Sequence, residues 1–267
     1  MIFDWLDERR RRRILATPFP EAWRRVLVRN MAHYGYLDDG ERERLRQLVQ
    51  VFVAEKEWEG CGGLALDDEI RVTIAGQACL LILNLHHSLY ARVETILVYP
   101  STFVPRRAEE SIFAPPAIVR PVVPSLGEAH QRGPVILTWD AVRRSARHPE
   151  VGHNVVYHEF AHKLDMLDGA IDGVPPLADA AEHARWERVC RAEYQRLREL
   201  SAAGEEGVLD PYGGTDEAEF FAVVTEAFFD QPLELAAEHP ALYELLAAFY
   251  RQDPAARAGR ARSHELA

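Results

Sequence analysis

Cysteine is scarce in this chain. Cys61, Cys79 and Cys190 are three in 267 residues, widely spaced and with no C-x-x-C pair. That excludes a disulfide framework and predicts free thiols in a reducing compartment. The one conceivable thiol nucleophile is Cys61, in a glycine-rich turn. Long apolar runs are also missing: none reaches the roughly 20 residues that a membrane-spanning helix needs. A secretory signal is not legible either, because Phe3, Trp5 and Leu6 come before the Arg9–Arg13 charge run instead of after it, the reverse of the signal-peptide order. A cytoplasmic protein is expected. Positive charge is in deficit, with 31 Lys and Arg against 42 Asp and Glu, a net charge of −11 and a pI near 5.5. Nucleic acid is therefore not expected as a direct partner, and Arg9–Arg13 reads as a solvated helix face or a flexible arm. There is no repeat and no linker. The proline-rich stretch 104–124 reads as a long excursion between strands. At 48% hydrophobic, residues 1–267 are expected to form a single domain, with 1–15 as an N-terminal arm and 253–267 as a fraying polar tail.

What the chain has is His158-Glu159-Phe160-Ala161-His162, the H-E-x-x-H pattern of zinc hydrolases. On a helix, positions i and i+4 share a face, so both rings can reach one ion. Glu159 is offset from that face, which suits a general base that touches a water instead of the metal. Val151, Val155 and Val156 before the motif and Leu164 and Leu167 after it make the helix a buried one. Pro149-Glu150 supplies a start and Asp168-Gly169 a stop, so the helix is expected over about 150–167. Asp165 reads equally as an acceptor that orients a ligand imidazole and as a solvated or capping carboxylate.

A third ligand must come from elsewhere. Residues 215–229 form a second apolar helix, capped by Thr215 or Asp216 and ended by Gln231-Pro232, and it carries Glu219 and Glu226. The two are about 10 Å apart along the helix, so both cannot bind one ion. One should be a ligand and the other a supporting group, and spacing does not choose between them.

The remaining elements are coarser readings. Helices are expected near 21–34, 39–57, 68–85, 179–202, 216–230 and 233–251, with strand as a rival for the β-branched first half of 68–85. Strands are expected at Val93–Tyr99 and Val135–Thr138, and more weakly at Ile118–Val123. This gives an α+β class, mostly helical with a small mixed sheet. His153, read as part of the motif helix, lies too far round it to share the ion. His86 and His87 read as a cap or as solvent-facing. His33, His130, His148, His183, His239 and His264 lie in polar or terminal contexts.

The Glu219-Phe220-Phe221-Ala222 segment resembles the third-ligand helix of Glu-type zincins related to anthrax lethal factor. Together with 155–165, Trp58–Leu64, Asp68–Ala75 and Asp210–Gly213, it makes residues 20–250 similar to the Mlc titration factor A family of bacterial cytosolic zinc metallopeptidases. The resemblance implies a zincin-like fold, Zn²⁺ held by His158, His162 and Glu219, Glu159 as base, Tyr212 as oxyanion donor and Glu226 as a supporting group. It also implies aminopeptidase-type cleavage of peptide substrates, and binding of a transcriptional repressor that controls glucose uptake, Mlc-like. A purely regulatory protein that sequesters the repressor is the alternative. In zincins an edge strand beside the metal helix pairs with the substrate, and Val135–Thr138 is expected in that place.

Overall fold

The computed structural model describes residues 2–101 and 133–265. Helix α1 (Ile2–Leu15) is followed by α2 (Glu21–Asn30) and α3 (Ala32–Tyr36), then α4 (Asp39–Glu55). The expected helix at 21–34 is broken at the extended Met31, which is buried. Asp38 opens α4 with a capping box: its carboxylate accepts from Glu41 N at 2.8 Å, and Glu41 Oε2 accepts from Asp38 N at 3.0 Å. At α1, Arg9, Arg10, Arg12 and Arg13 are exposed while Arg11 pairs with Glu55 at 2.8 Å. The arginine run is a solvated helix face, not a loose arm.

Strand β1 (Glu57–Gly60) leads to the central helix α5 (Asp68–Leu81), which starts on Asp67. Ile70, Val72 and Ile74 favour strands in isolation, yet they are helical here. The helix is buried almost all round, and that packing overrides propensity. Gly76 allows α2 to approach: a Cβ there would stand 2.7 Å from Leu27 Cδ2. Strands β2 (Thr95–Tyr99) and β3 (Val135–Thr138) complete a sheet of order β1-β2-β3. Among the described residues both pairings are parallel, and the expected α+β class, mostly helical with a small sheet, is what the structure shows. Parallel neighbours need a crossover, and α5 provides one between β1 and β2. The weak strand at 118–123 and the proline-rich excursion lie outside the described residues.

After β3 come α6 (Trp139–Arg147), α7 (Val155–Asp165), α8 (Ala180–Ala203), α9 (Glu217–Asp230), α10 (Pro232–Glu238), α11 (Pro240–Tyr250) and α12 (Pro254–Glu265). Pro240 divides the expected helix 233–251 in two, as a proline with no amide hydrogen does. The expected fraying tail is instead α12. Its Arg257 is buried and bonds Glu41 through Nε at 3.0 Å and Gln252 through Nη1 at 2.9 Å.

Helices α7 and α9 pack against each other and against the shared core. Behind α7, Phe160 meets Tyr90 edge-on at 4.9 Å and Phe52 at 5.8 Å, while Tyr157 meets Phe229 of α9 at 5.3 Å. Such ring pairs add about 0.5–1.5 kcal/mol each beyond buried area. They fix the back of α7 and leave its opposite face free to carry the motif side chains.

Candidate metal centre

Helix α7 begins later than Pro149 suggests. Pro149–Val151 make one 3-10 turn, and Gly152 then reverses the chain at φ 70°. The positive φ is what calls for glycine; a Cβ there would lie 2.6 Å from the end of the Gln231 side chain, which would have to swing aside. Asn154 is the true cap: its Oδ1 accepts from Val156 N at 3.1 Å and Tyr157 N at 3.2 Å. Val156, Tyr157, Phe160, Ala161 and Leu164 fill the buried face. That leaves His158, Glu159 and His162 half-buried on the remaining face.

Asp216 caps α9 by accepting from Glu219 N at 2.9 Å, so Glu219 leaves the first turn. Its Oε2 stands 3.0 Å from His158 Nε2 and 3.6 Å from His162 Nε2, and the two Nε2 atoms are 3.2 Å apart. Ligands about 2 Å from a common ion, in roughly tetrahedral array, would be separated by about 3–3.5 Å. Glu219 Oε2 is buried without a hydrogen bond. This trio is the one group among the described residues whose donors could together hold a metal ion. Burial pushes His158 down, but the Glu219 and Glu226 carboxylates outweigh it and raise the ring to about 10. Burial likewise pushes Glu219 up, and the two histidines overcome it and hold its carboxyl well below the usual range. One ring between two carboxylates, with a second ring beside the same Glu219 oxygen, makes a setting that favours a cation.

Glu226 lies behind this triangle and is 2% exposed. Its Oε1 accepts from His158 Nδ1 at 2.7 Å, which leaves Nε2 facing the centre. Its Oε2 accepts from Asn154 N and lies 3.1 Å from His153 Nδ1. Tyr212 sits on the 3-10 turn Pro211–Gly214, held by Asp210 Oδ1, which accepts from Tyr212 N at 2.8 Å. Its ring centre is 6.2 Å from that of His158, and it is 44% exposed. Glu159 is not one of the three clustered donors.

A family model described as glucose-regulated metallo-peptidase M90 matches residues 5–251. The chain belongs to this family. An uncharacterized protein of Synechocystis sp. is 39% identical over 253 residues, 94% of this chain and 90% of its own. Mlc titration factor A of Serratia proteamaculans is 35% identical over 236 residues, 86% of this chain and 87% of its own. The same-named protein of Klebsiella pneumoniae is 34% identical over 224 residues, 83% of each chain. The likeness to Mlc titration factor A read from the motifs is borne out over most of the sequence. Membership of M90 supports a metallopeptidase-type function and implies a metal ion.

Other residues of this M90 chain fall differently from expectation. Asp165 is fully buried; its Oδ1 accepts from Val174 N at 2.9 Å and its Oδ2 accepts nothing, with burial pushing the carboxyl up to about 6. It ties down the segment after α7 and is neither solvated nor bonded to a ligand ring. His33 and His239, expected in polar contexts, are buried: His33 Nε2 meets Phe229 O at 2.9 Å, and His239 Nδ1 meets Glu193 at 2.6 Å. His86 does cap the short turn after α5, through Ser88 N at 3.3 Å. Cys79 is buried, and burial pushes its thiol well above the ordinary range; burial also pushes the Cys190 thiol up to about 12. Cys61 has Tyr99 beside it. No helix of the described residues is long and apolar enough to cross a membrane. His153 and Asn154 were missed as parts of the site. Gly152 with Asn154 two residues on was the available signal, since it marks a stop and then a cap.

Proposed function

We propose that the chain is a zinc-dependent, aminopeptidase-like peptidase that hydrolyses peptide or aminoacyl-amide bonds. The observation that carries this reading is the triangle of His158, His162 and Glu219 donors, whose carboxylate corner, Glu219 Oε2, is buried without a hydrogen bond. Two imidazoles and one carboxylate are a donor set of catalytic zinc, which leaves a fourth position for water or substrate. When bound, the ion would supply Lewis-acid chemistry, making a water acidic near neutral pH and polarising the scissile carbonyl. Glu226 holds His158 in the orientation that presents Nε2. Glu159, beside His158 but outside the triangle, takes the proton of the attacking water and passes it to the leaving amine. Tyr212, near the His158 ring, gives its hydroxyl hydrogen to the carbonyl oxygen as negative charge develops.

Strand β3 supports the same reading. It is an edge of the sheet among the described residues, with Ile136 44% exposed. Lys163 of α7 donates to Gly133 O at 2.9 Å, just before the strand, so the metal helix and this edge are tied together. An extended peptide can add its backbone there. A cytoplasmic location belongs to this reading as well.

The relatives' name, Mlc titration factor A, favours a second reading, a regulatory protein that sequesters a transcriptional repressor. The two roles are compatible, but a pure binder has no use for Glu159. The deciding experiment compares wild type with Glu159→Gln for zinc content and for hydrolysis of aminoacyl-anilides. Both proteins should hold near-stoichiometric zinc, and the variant should lose two or more orders of magnitude in turnover, about the range for general-base assistance. A variant as active as wild type would remove Glu159 from the mechanism. A zinc-bearing wild type without hydrolysis would favour the regulatory reading.

A further inference from the structure

His153 lies outside α7, in the short link between Gly152 and the cap Asn154. Its side chain is 67% exposed, yet Nδ1 is 3.1 Å from Oε2 of Glu226, a carboxylate that is 2% exposed. Glu226 is thus held at three points. His158 Nδ1 and Asn154 N approach from within, and His153 approaches from solvent. The positive φ of Gly152 turns the chain so that consecutive residues 153 and 154 both reach the same oxygen.

We propose that His153 is a positioning residue of the metal centre: it locks Glu226 from the solvent side and so fixes the direction in which His158 presents Nε2. This rests on the metallopeptidase reading above. Contacts on Oε2 from two neighbouring residues hold the Glu226 carboxylate in the position from which its other oxygen bonds His158 Nδ1. Without His153, water reaches a buried charge that now has one fixed partner on Oε2 instead of two. His158 then loses orientation, and groups that orient a ligand imidazole influence metal affinity out of proportion to their distance from the ion.

The test uses His153→Ala and His153→Asn in the full chain, at one fixed pH. Zinc affinity is read by competition with a chelator, the visible bands of the cobalt-loaded protein report ligand geometry, and melting of the metal-free protein reports the fold. For His153→Ala we expect zinc bound about 3- to 10-fold more weakly, the range for one ordinary hydrogen bond, since the contact is open to solvent and acts on the ion through His158. The cobalt bands should shift, and metal-free melting should fall only slightly, because the ring is largely exposed and Glu226 keeps its contacts with His158 and Asn154. Turnover should fall with KM unaltered. His153→Asn, whose amide nitrogen stands near the place of Nδ1, should recover most of the affinity. Unaltered zinc affinity and cobalt bands in His153→Ala, with wild type binding zinc normally, would overturn this inference alone. A wild type that binds no zinc would overturn both it and the reading on which it rests.

Discussion

Glu219 leaves the first turn of α9, where its amide is capped by Asp216, and its Oε2 faces both Nε2 atoms. Glu226 leaves the same helix two turns later and meets His158 on the other nitrogen, Nδ1. The sequence showed that the pair could not share one ion, but spacing along one helix cannot reveal which end faces a partner helix. The H-E-x-x-H histidines were legible because their relation is local and set by helix geometry alone. His153 was not, since its role depends on Gly152 ending one turn before Asn154 starts the next. The two glutamates separate experimentally. Glu219→Ala removes a donor of the triangle, so the protein should purify nearly zinc-free and inactive. Glu226→Ala leaves all three donors in place and should keep most of its zinc at saturating metal, with affinity weaker by about 10- to 100-fold. Metal analysis of the two variants side by side decides it. A metal-free Glu226→Ala beside a zinc-bearing Glu219→Ala would reverse the assignment.

At the scale of elements, helix starts with a side-chain cap in the sequence were readable: Asp38, Asp67 and Asp216 each accept the amide three residues on. Strand β1 was not. Glu57–Gly60 has no alternating pattern, and only its pairing with β2 makes it a strand. Helix α12 was missed for the same reason at longer range. Its alanine- and arginine-rich sequence looks polar and free, but Arg257 reaches Glu41, 216 residues away. Both side chains are largely buried, at 7% and 11% exposed. Removing one partner of such a pair strands the other charge, at a cost of about 3–5 kcal/mol. Arg257→Ala should therefore lower the urea midpoint markedly, although the residue lies in the last short helix. A midpoint equal to that of wild type would mean that α12 contributes nothing to the fold.

At the scale of the whole molecule, the seam between the two site-bearing helices is closed on its far side by a histidine. His33, on α3, bonds Phe229 O of α9 through Nε2 at 2.9 Å, and its Nδ1 lies 3.4 Å from the Tyr157 hydroxyl of α7. Asp230 Oδ1 is 3.3 Å away, but burial pushes that carboxyl well above its ordinary range, so it offers His33 no counter-charge. Burial then lowers His33 to about 4, and the nearby Arg257 charge acts in the same direction. The consequence has a definite sign. In the unfolded chain the ring gains its proton near pH 6.5; in the fold it stays neutral down to about 4. The unfolded state therefore binds more protons between those limits, and the stability due to a neutral His33 is full above pH 6.5 and is lost as pH falls toward 4. Between pH 7 and pH 5 the loss is about 2 kcal/mol. Asp230 acts oppositely, since a carboxyl kept neutral in the fold favours folding less as pH rises, so the total slope of wild type does not isolate His33. The difference between wild type and His33→Gln does. Denaturant unfolding at pH 7 and pH 5 should show the variant losing about 2 kcal/mol less than wild type on acidification. Equal losses in the two proteins would mean that the ring is charged in the fold, and that the seam between α7 and α9 admits water.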